Sequence, residues 1–237
     1  MALMLAPPAR AEGPACGAPP ESLNASALAG TATAVNRGNL RVMVVGSAST
    51  HGGGTSGPQA TWPERFARVL TARMQNVTVE VRTYGARGTV AADHSRVMAE
   101  HGPGYRPHLV IWQLGPVEAA RGLSAEEMAE TVKSTAARIR AARGERTDVI
   151  LMDPQFSRFL RANADVEVYR DRLKMAAAAS GAQLFSRYEI MRYWSENERL
   201  DLERAPREAR TRIADELHDC LARALVEFVL EGVRDTR

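Results

Sequence analysis

The sequence predicts an α/β protein, a three-layer α/β/α sandwich around a central, mostly parallel sheet of five strands. Three observations carry this expectation. Short apolar runs rich in Val and Ile recur along the chain, and continuous apolar runs of that length are the mark of strands buried on both faces. Helical stretches with polar and apolar faces separate the runs, which is the connection that parallel strands require. Turn residues punctuate the pattern, beginning with Gly46 after the first run.

The elements follow in order. Residues 2–11 read as the tail of a signal peptide: a short apolar run, a Pro-Pro break, then small residues at Ala9 and Ala11, without the basic front end such peptides carry. We therefore expect a signal-peptide remnant over 1–11, an N-terminal arm rich in Gly, Pro, Ala and Ser over 12–39, and one domain over 40–237. The domain opens with a strand over 40–45 and a Gly/Ser/Thr loop over 47–59. Thr61, Pro63 and Glu64 form a capping-box signature for a helix reaching Met74. A second strand covers 77–82, a glycine turn 84–88, a helix 90–100 and a third strand 108–113. Ser124 and Glu127 cap a helix running to about Ala142, and the fourth strand is 148–152. A helix over 166–180, a short strand over 182–185 and a closing helix over 212–230 complete the pattern.

Composition narrows the function. The 31 basic and 28 acidic residues give a net charge of +3 and a pI near 9.1, but the two signs are interspersed rather than blocked. A nucleic-acid binder needs a basic stripe or aromatic stacking platforms, and neither is visible. No run reaches the length of a membrane-spanning helix. The glycines at 46 and 52–54 lack the Lys-Ser/Thr ending of a phosphate loop. His51-Gly52-Gly53-Gly54 is not followed by the Gly-x-Ser-x-Gly elbow of lipases. His51, His94, His101, His108 and His218 show no metal-ligand spacing, so neither metal nor other cofactor is expected. His94 and His101 read as surface residues of their helix, Trp112 as strand-end packing, and Met128, Met152 and Met175 as filler in apolar faces. Cys16 and Cys220 are the only cysteines. In an oxidising compartment they could pin the arm to the last helix; otherwise they are one buried and one exposed thiol.

Asp215 and His218 are three residues apart, which places them on one side of a turn at the start of the closing helix. A carboxylate there can fix an imidazole tautomer and leave the other nitrogen as a general base. An exposed acid beside a half-buried His has the same spacing.

Five segments in order extend that pair: Gly46-Ser47-Ala48-Ser49, Trp62-Pro63, Thr83-Tyr84-Gly85-Ala86-Arg87-Gly88, Trp112-Gln113-Leu114-Gly115-Pro116-Val117-Glu118, and Asp215 to Cys220-Leu221-Ala222. In this the chain resembles the SGNH (GDSL-like) hydrolases over about residues 40 to 230, in particular their exported esterase-like bacterial branch. The resemblance implies that Ala48 stands where the nucleophilic Ser would be, that Gly88 supplies an oxyanion amide, and that Val117 replaces the oxyanion Asn. Asp215 and His218 are then a retained acid and base. A methyl group cannot attack an acyl carbon, and losing one oxyanion donor typically costs about 3–4 kcal/mol of transition-state stabilisation. Only Asp219 separates His218 from Cys220, so a His218 drawn into the helix could turn away from the pocket.

The expectation is therefore a periplasmic or secreted protein of SGNH-hydrolase fold that is catalytically degenerate and acts in binding or as a scaffold. Its implied partners are an acylated sugar or envelope glycan, or another protein. The alternative is an active ester hydrolase, deacetylase or transacylase that uses Ser47 or Ser49 with His218 and Asp215.

Overall fold

The computed structural model describes residues 16–142, 146–197 and 200–236, so the signal-peptide reading of 1–11 lies outside the described residues. Five parallel strands form one sheet in the order β2-β1-β3-β4-β5. They are β1 Asn39–Val45, β2 Thr78–Tyr84, β3 Leu109–Gln113, β4 Asp148–Met152 and β5 Gln183–Phe185. Each lies within two residues of its sequence reading; for β1, β3 and β4 a buried apolar run bounded by turn residues leaves little choice of register.

The strands divide their side chains by the two-residue period of the pleat. Leu40, Val42, Val44, Leu109, Ile111, Ile150 and Met152 enter one core, packed under helices α1 (Ala29–Asn36), α2 (Trp62–Arg73) and α9 (Arg210–Arg234). Met43, Val45, Val110, Trp112, Val149 and Leu151 enter the other, under α3 (Ala91–Tyr105), α5 (Ala125–Arg140) and α7 (Val166–Ser180). Short helices α4 (Pro116–Arg121) and α6 (Arg158–Asn163), with α8 (Arg187–Glu196), complete the layers.

Several details depart from the sequence reading. The arm is not wholly irregular: α1 lies within it, and its Thr31 amide and hydroxyl both donate to one carboxylate oxygen of buried Asp148 at the foot of β4, at 2.8 and 3.0 Å. Helices α4, α6 and α8 have no counterpart in the sequence reading; α4 and α6 are only six residues long. Helix α3 continues through Pro103 to Tyr105, held by the Tyr105 hydroxyl donating to the carbonyls of Glu80 at 3.0 Å and Val42 at 3.3 Å. His94 is buried rather than superficial: the Trp112 indole N–H donates to its Nδ1 at 3.0 Å, and burial lowers its pKa to about 4. Met175, read as core filler, is 60% exposed. The capping box at Ser124 forms through the Glu127 amide, whereas Thr61 makes no side-chain cap at the start of α2.

Two glycines bring the ends of β1 and β2 together. Gly85 has φ +111°, and a Cβ on it would lie 2.0 Å from the carbonyl oxygen of Gly46. We expect Gly85→Ala to lower stability by about 2–4 kcal/mol, combining backbone strain with overpacking. Urea unfolding should show it as a lower midpoint with an unchanged slope.

Candidate functional site

In an open parallel sheet ligands bind at the carboxyl ends of the strands, where the strand order reverses. Here β1 is the first strand in sequence and has β2 on one side and β3 on the other, so the crevice lies between the ends of β1 and β3. The loop after Val45 turns at once into a 3-10 turn, Ala48–His51. Gln113, the last residue of β3, ties that turn down. Its Oε1 accepts from the Ser47 amide at 3.3 Å, the Ser49 hydroxyl at 3.2 Å and the Thr50 hydroxyl at 3.3 Å. The absent side chain of Gly46 makes room for this, since a Cβ there would meet Thr50 and Gln113.

The crevice opens into a cavity of about 140 Å³ lined by Ser49, Phe156, Arg187, Leu217 and His218 among others. A larger, open cavity of about 1510 Å³ lies at the opposite end of the strands, beside Arg41, Tyr105 and Arg138, and gathers none of the site residues named from sequence. The smaller one is lined by two of them, Ser49 and His218.

His218 and Asp215 sit well inside α9 rather than at its start. They are not hydrogen-bonded to each other. The Asp215 carboxylate accepts from the Ser56 amide at 2.9 Å, and the Nδ1 of His218 accepts from the amide of Trp62 at 2.9 Å. Trp62 is the first residue of α2, so the imidazole satisfies one of the amides that every helix leaves unpaired at its N-terminus. The same hydrogen bond fixes the tautomer: a nitrogen that accepts from an N–H carries no hydrogen, so in the neutral ring Nε2 carries it. The ring is buried and its pKa falls to about 3; burial is the main cause, the cations Arg187 and Arg65 add to it, and Asp215 opposes them weakly. His218 is thus a neutral hydrogen-bond donor toward the cavity.

Ser49 is the serine that reaches the cavity. Its hydroxyl donates to Gln113 and accepts from Arg187 at 3.0 Å, with no hydrogen bond to His218 among the described residues. Ser47 is buried and takes part through its amide. Ala48 begins the turn, and Gly88, with φ +80°, lies in the turn after β2, where a Cβ would meet the Arg121 guanidinium. Val117 is in the first turn of α4. Its neighbour Glu118 is buried, and its carboxylate accepts from the Ala91 amide at 2.7 Å. Burial raises its pKa.

Arg187 is the residue that sequence reasoning missed. It opens α8, two positions after β5 ends, and that placement at a strand's carboxyl end was the available signal. Beneath it Asp153, just after β4, accepts from the Tyr188 amide at 2.8 Å and from Arg170 Nε at 3.2 Å. Burial pushes the Asp153 carboxyl up to about 6, against the pull of that amide and of Arg170.

The disulfide expected under oxidising conditions is present: Cys16 and Cys220 are bonded, across a sequence separation of 204. Among the described residues no helix is long and apolar enough to cross a membrane, and no group of three or more His, Cys, Asp or Glu could hold a metal ion.

Solved structures similar to the chain include several esterases. One is a catalytic mutant of Axe2, an acetylxylan esterase from Geobacillus stearothermophilus, with a TM-score of 0.66 at 15% identity, covering 80% of this chain and 94% of that one. A second is a two-domain esterase (CEX) active on acetylated mannans, with a TM-score of 0.72 at 14% identity, covering 93% of this chain and 58% of that one. A third is the psychrotrophic esterase EstA from Pseudoalteromonas sp., with a TM-score of 0.57 at 14% identity, covering 78% and 98%. At these identities the likeness establishes the SGNH-hydrolase fold. No curated protein matches the chain significantly. The profile of the Non-GDSL lipase-like family matches residues 15–235, and the chain belongs to that family.

Proposed function

We propose that this protein is an exported, catalytically degenerate member of its family that binds a ligand, or a partner, at the old esterase site. One observation carries the reading: the Nδ1 of His218 accepts the Trp62 amide at 2.9 Å. The nitrogen left to the cavity is then a donor, not a base, and the turn beside it begins with Ala48. A nucleophile needs a base within hydrogen-bond reach and oriented by a third group, and here the orienting carboxylate, Asp215, is engaged by the Ser56 amide. Val117 in place of an oxyanion donor fits the same loss. An acylated sugar or envelope glycan remains the favoured class of ligand; the esterases named above that act on acetylxylan and acetylated mannans lend it support. The disulfide supports export.

The second reading, an ester hydrolase, deacetylase or transacylase that uses Ser47 or Ser49 as nucleophile, draws on the Ser49 hydroxyl lining the cavity beside Arg187. The two readings separate on exposure to a fluorophosphonate probe and p-nitrophenyl acetate. The purified protein should neither label nor turn over, and Ser47→Ala and Ser49→Ala should change nothing. Ala48→Ser combined with Val117→Asn should stay inert too, because Nε2 still carries its hydrogen. Turnover by the parent that disappears in Ser49→Ala would establish the second reading instead.

A further inference from the structure

The cavity is lined by a buried cation that no carboxylate of the described residues contacts. Arg187 is 3% exposed. Its guanidinium donates to the Ser49 hydroxyl at 3.0 Å and to Gln155 Oε1 at 3.3 Å, both neutral, while its Nε–H finds no acceptor. No carboxylate of the described residues forms an ion pair with it, and each acid nearby is committed elsewhere. Asp153 is held by Arg170 and the Tyr188 amide. Asp201, which also lines the cavity, forms an ion pair with Arg158 at 2.8 Å, although its buried Oδ2 has no well-directed hydrogen bond. Glu203 accepts from the Ser157 hydroxyl at 2.6 Å and the Arg158 amide at 2.8 Å, capping α6. Burial lowers the Arg187 pKa to about 10, against the pull of the Asp153 charge, which leaves it charged at neutral pH. A buried charge with no carboxylate in contact is costly, and proteins seldom keep one without a use.

We propose that the cavity takes the carboxylate group of a small monoanionic ligand, bound by the free guanidinium N–H groups of Arg187 and the Nε2–H of His218. The fork of a guanidinium matches the planar geometry of a carboxylate. Arg158, Asp201 and Glu203 line the same cavity, and the two carboxylates would oppose a dianion such as phosphate or sulfate more than a monoanion. The other walls include Phe156, Met191, Leu200 and Leu221, which suit an apolar or neutral body behind the charged group. The volume, about 140 Å³, is close to the roughly 150 Å³ that holds a benzene-sized molecule. This rests on the non-catalytic reading above but departs from the acylated sugar favoured there: the group bound is a free acid rather than an intact ester.

Acetate and its neutral isostere acetamide test the proposal, titrated into the whole protein by calorimetry at constant ionic strength set with sodium chloride. Acetate should bind saturably and at least about tenfold more tightly than acetamide, and Arg187→Gln should lose that margin, as expected for a charge-assisted hydrogen bond. Equal affinity for the two probes, or a folded Arg187→Gln that binds acetate as the parent does, would overturn it. Should Arg187→Gln not fold, Ser49→Asp decides: its carboxylate lies where it can occupy the guanidinium, so the variant should melt higher and be blind to acetate. Parental acetate affinity in Ser49→Asp would reject the site. Serine labelling by fluorophosphonate with acetate binding intact would sink only the non-catalytic reading, whereas an unlabelled protein indifferent to acetate would sink only the carboxylate site.

Discussion

Reduction of the Cys16–Cys220 disulfide is expected to lower stability by about 4–5 kcal/mol, on the chain-entropy account of cross-links that close long loops. The separation of 204 residues makes this loop nearly as long as the chain. Cys220 is fully buried in α9, and Cys16 packs against the same core. Other contacts also hold the arm: Ala18, Leu23 and Leu28 pack in or against the same core, the Trp194 indole N–H donates to the Gly17 carbonyl at 3.2 Å, and the Leu28 amide to the Gly232 carbonyl at 2.8 Å. For a domain of this size each kcal/mol moves the melting temperature by about 2–4 °C, so reduction should lower it by roughly 10–20 °C. Melting with and without a phosphine reductant reads the effect, with Cys16→Ser as the genetic counterpart. Coincident melting curves would mean that packing alone holds the arm.

Arg170→Met is the second large effect, expected at about 3–5 kcal/mol, the range found when one partner of a buried ion pair is removed. Arg170 is 4% and Asp153 is 1% exposed. The guanidinium also reaches Glu167 and Glu189 at 2.6 and 2.5 Å and lies 4.0 Å over the Tyr188 ring. The two glutamates can turn to water when it is gone; Asp153 cannot.

The sign with pH follows. Asp153 titrates near 6 in the folded protein, against about 3.9 in an unfolded chain. Between those values the folded state holds a proton that the unfolded state has released, so this group's contribution favours folding below about pH 4 and is lost as pH rises through 6. Without Arg170 the carboxyl should titrate higher still. The deficit of Arg170→Met should therefore be largest at neutral pH and shrink toward pH 5. Denaturant titrations of parent and variant at pH 7.5 and pH 5 measure it; a deficit independent of pH would assign the loss to packing over Tyr188 instead. Because Asp153 holds the Tyr188 amide at the mouth of α8, the variant should also disturb Arg187 and the cavity it lines.

Particular elements show where reading from sequence succeeds. The fourth strand, 148–152, is read to the residue because Asp148-Val-Ile-Leu-Met152 is a continuous apolar run beside turn residues. The helix over 166–180 is equally legible, ended by Gly181 in the left-handed region, which only glycine adopts freely. Helix α8 was not, since its start, Ser186-Arg187-Tyr188, carries no side-chain cap and is held by a buried carboxylate from another strand. Arg187, its first residue, went unnoticed with it.

The cap of α2 shows the same limit within the site. Thr61 and Glu64 look like a local capping box, but no side-chain cap forms there, and the N-terminal amide of Trp62 is met by the imidazole of His218, 156 residues away. Local spacing predicts Asp215 beside His218; only the packing of α9 against α2 decides which hydrogen-bond partner each obtains.

By itself the sequence determined the fold and the location of the crevice, because apolar periodicity and turn chemistry are local properties that survive without knowledge of neighbours. It also determined that Ala48 and Val117 carry no polar group. The tertiary structure decided the rest: the tautomer of His218, the pairing of Asp215 with the Ser56 amide, and the isolation of the Arg187 charge. Hydrogen-bond partners and burial belong to groups distant in sequence, and those quantities set whether a nitrogen acts as base or donor and whether a cation is neutralised.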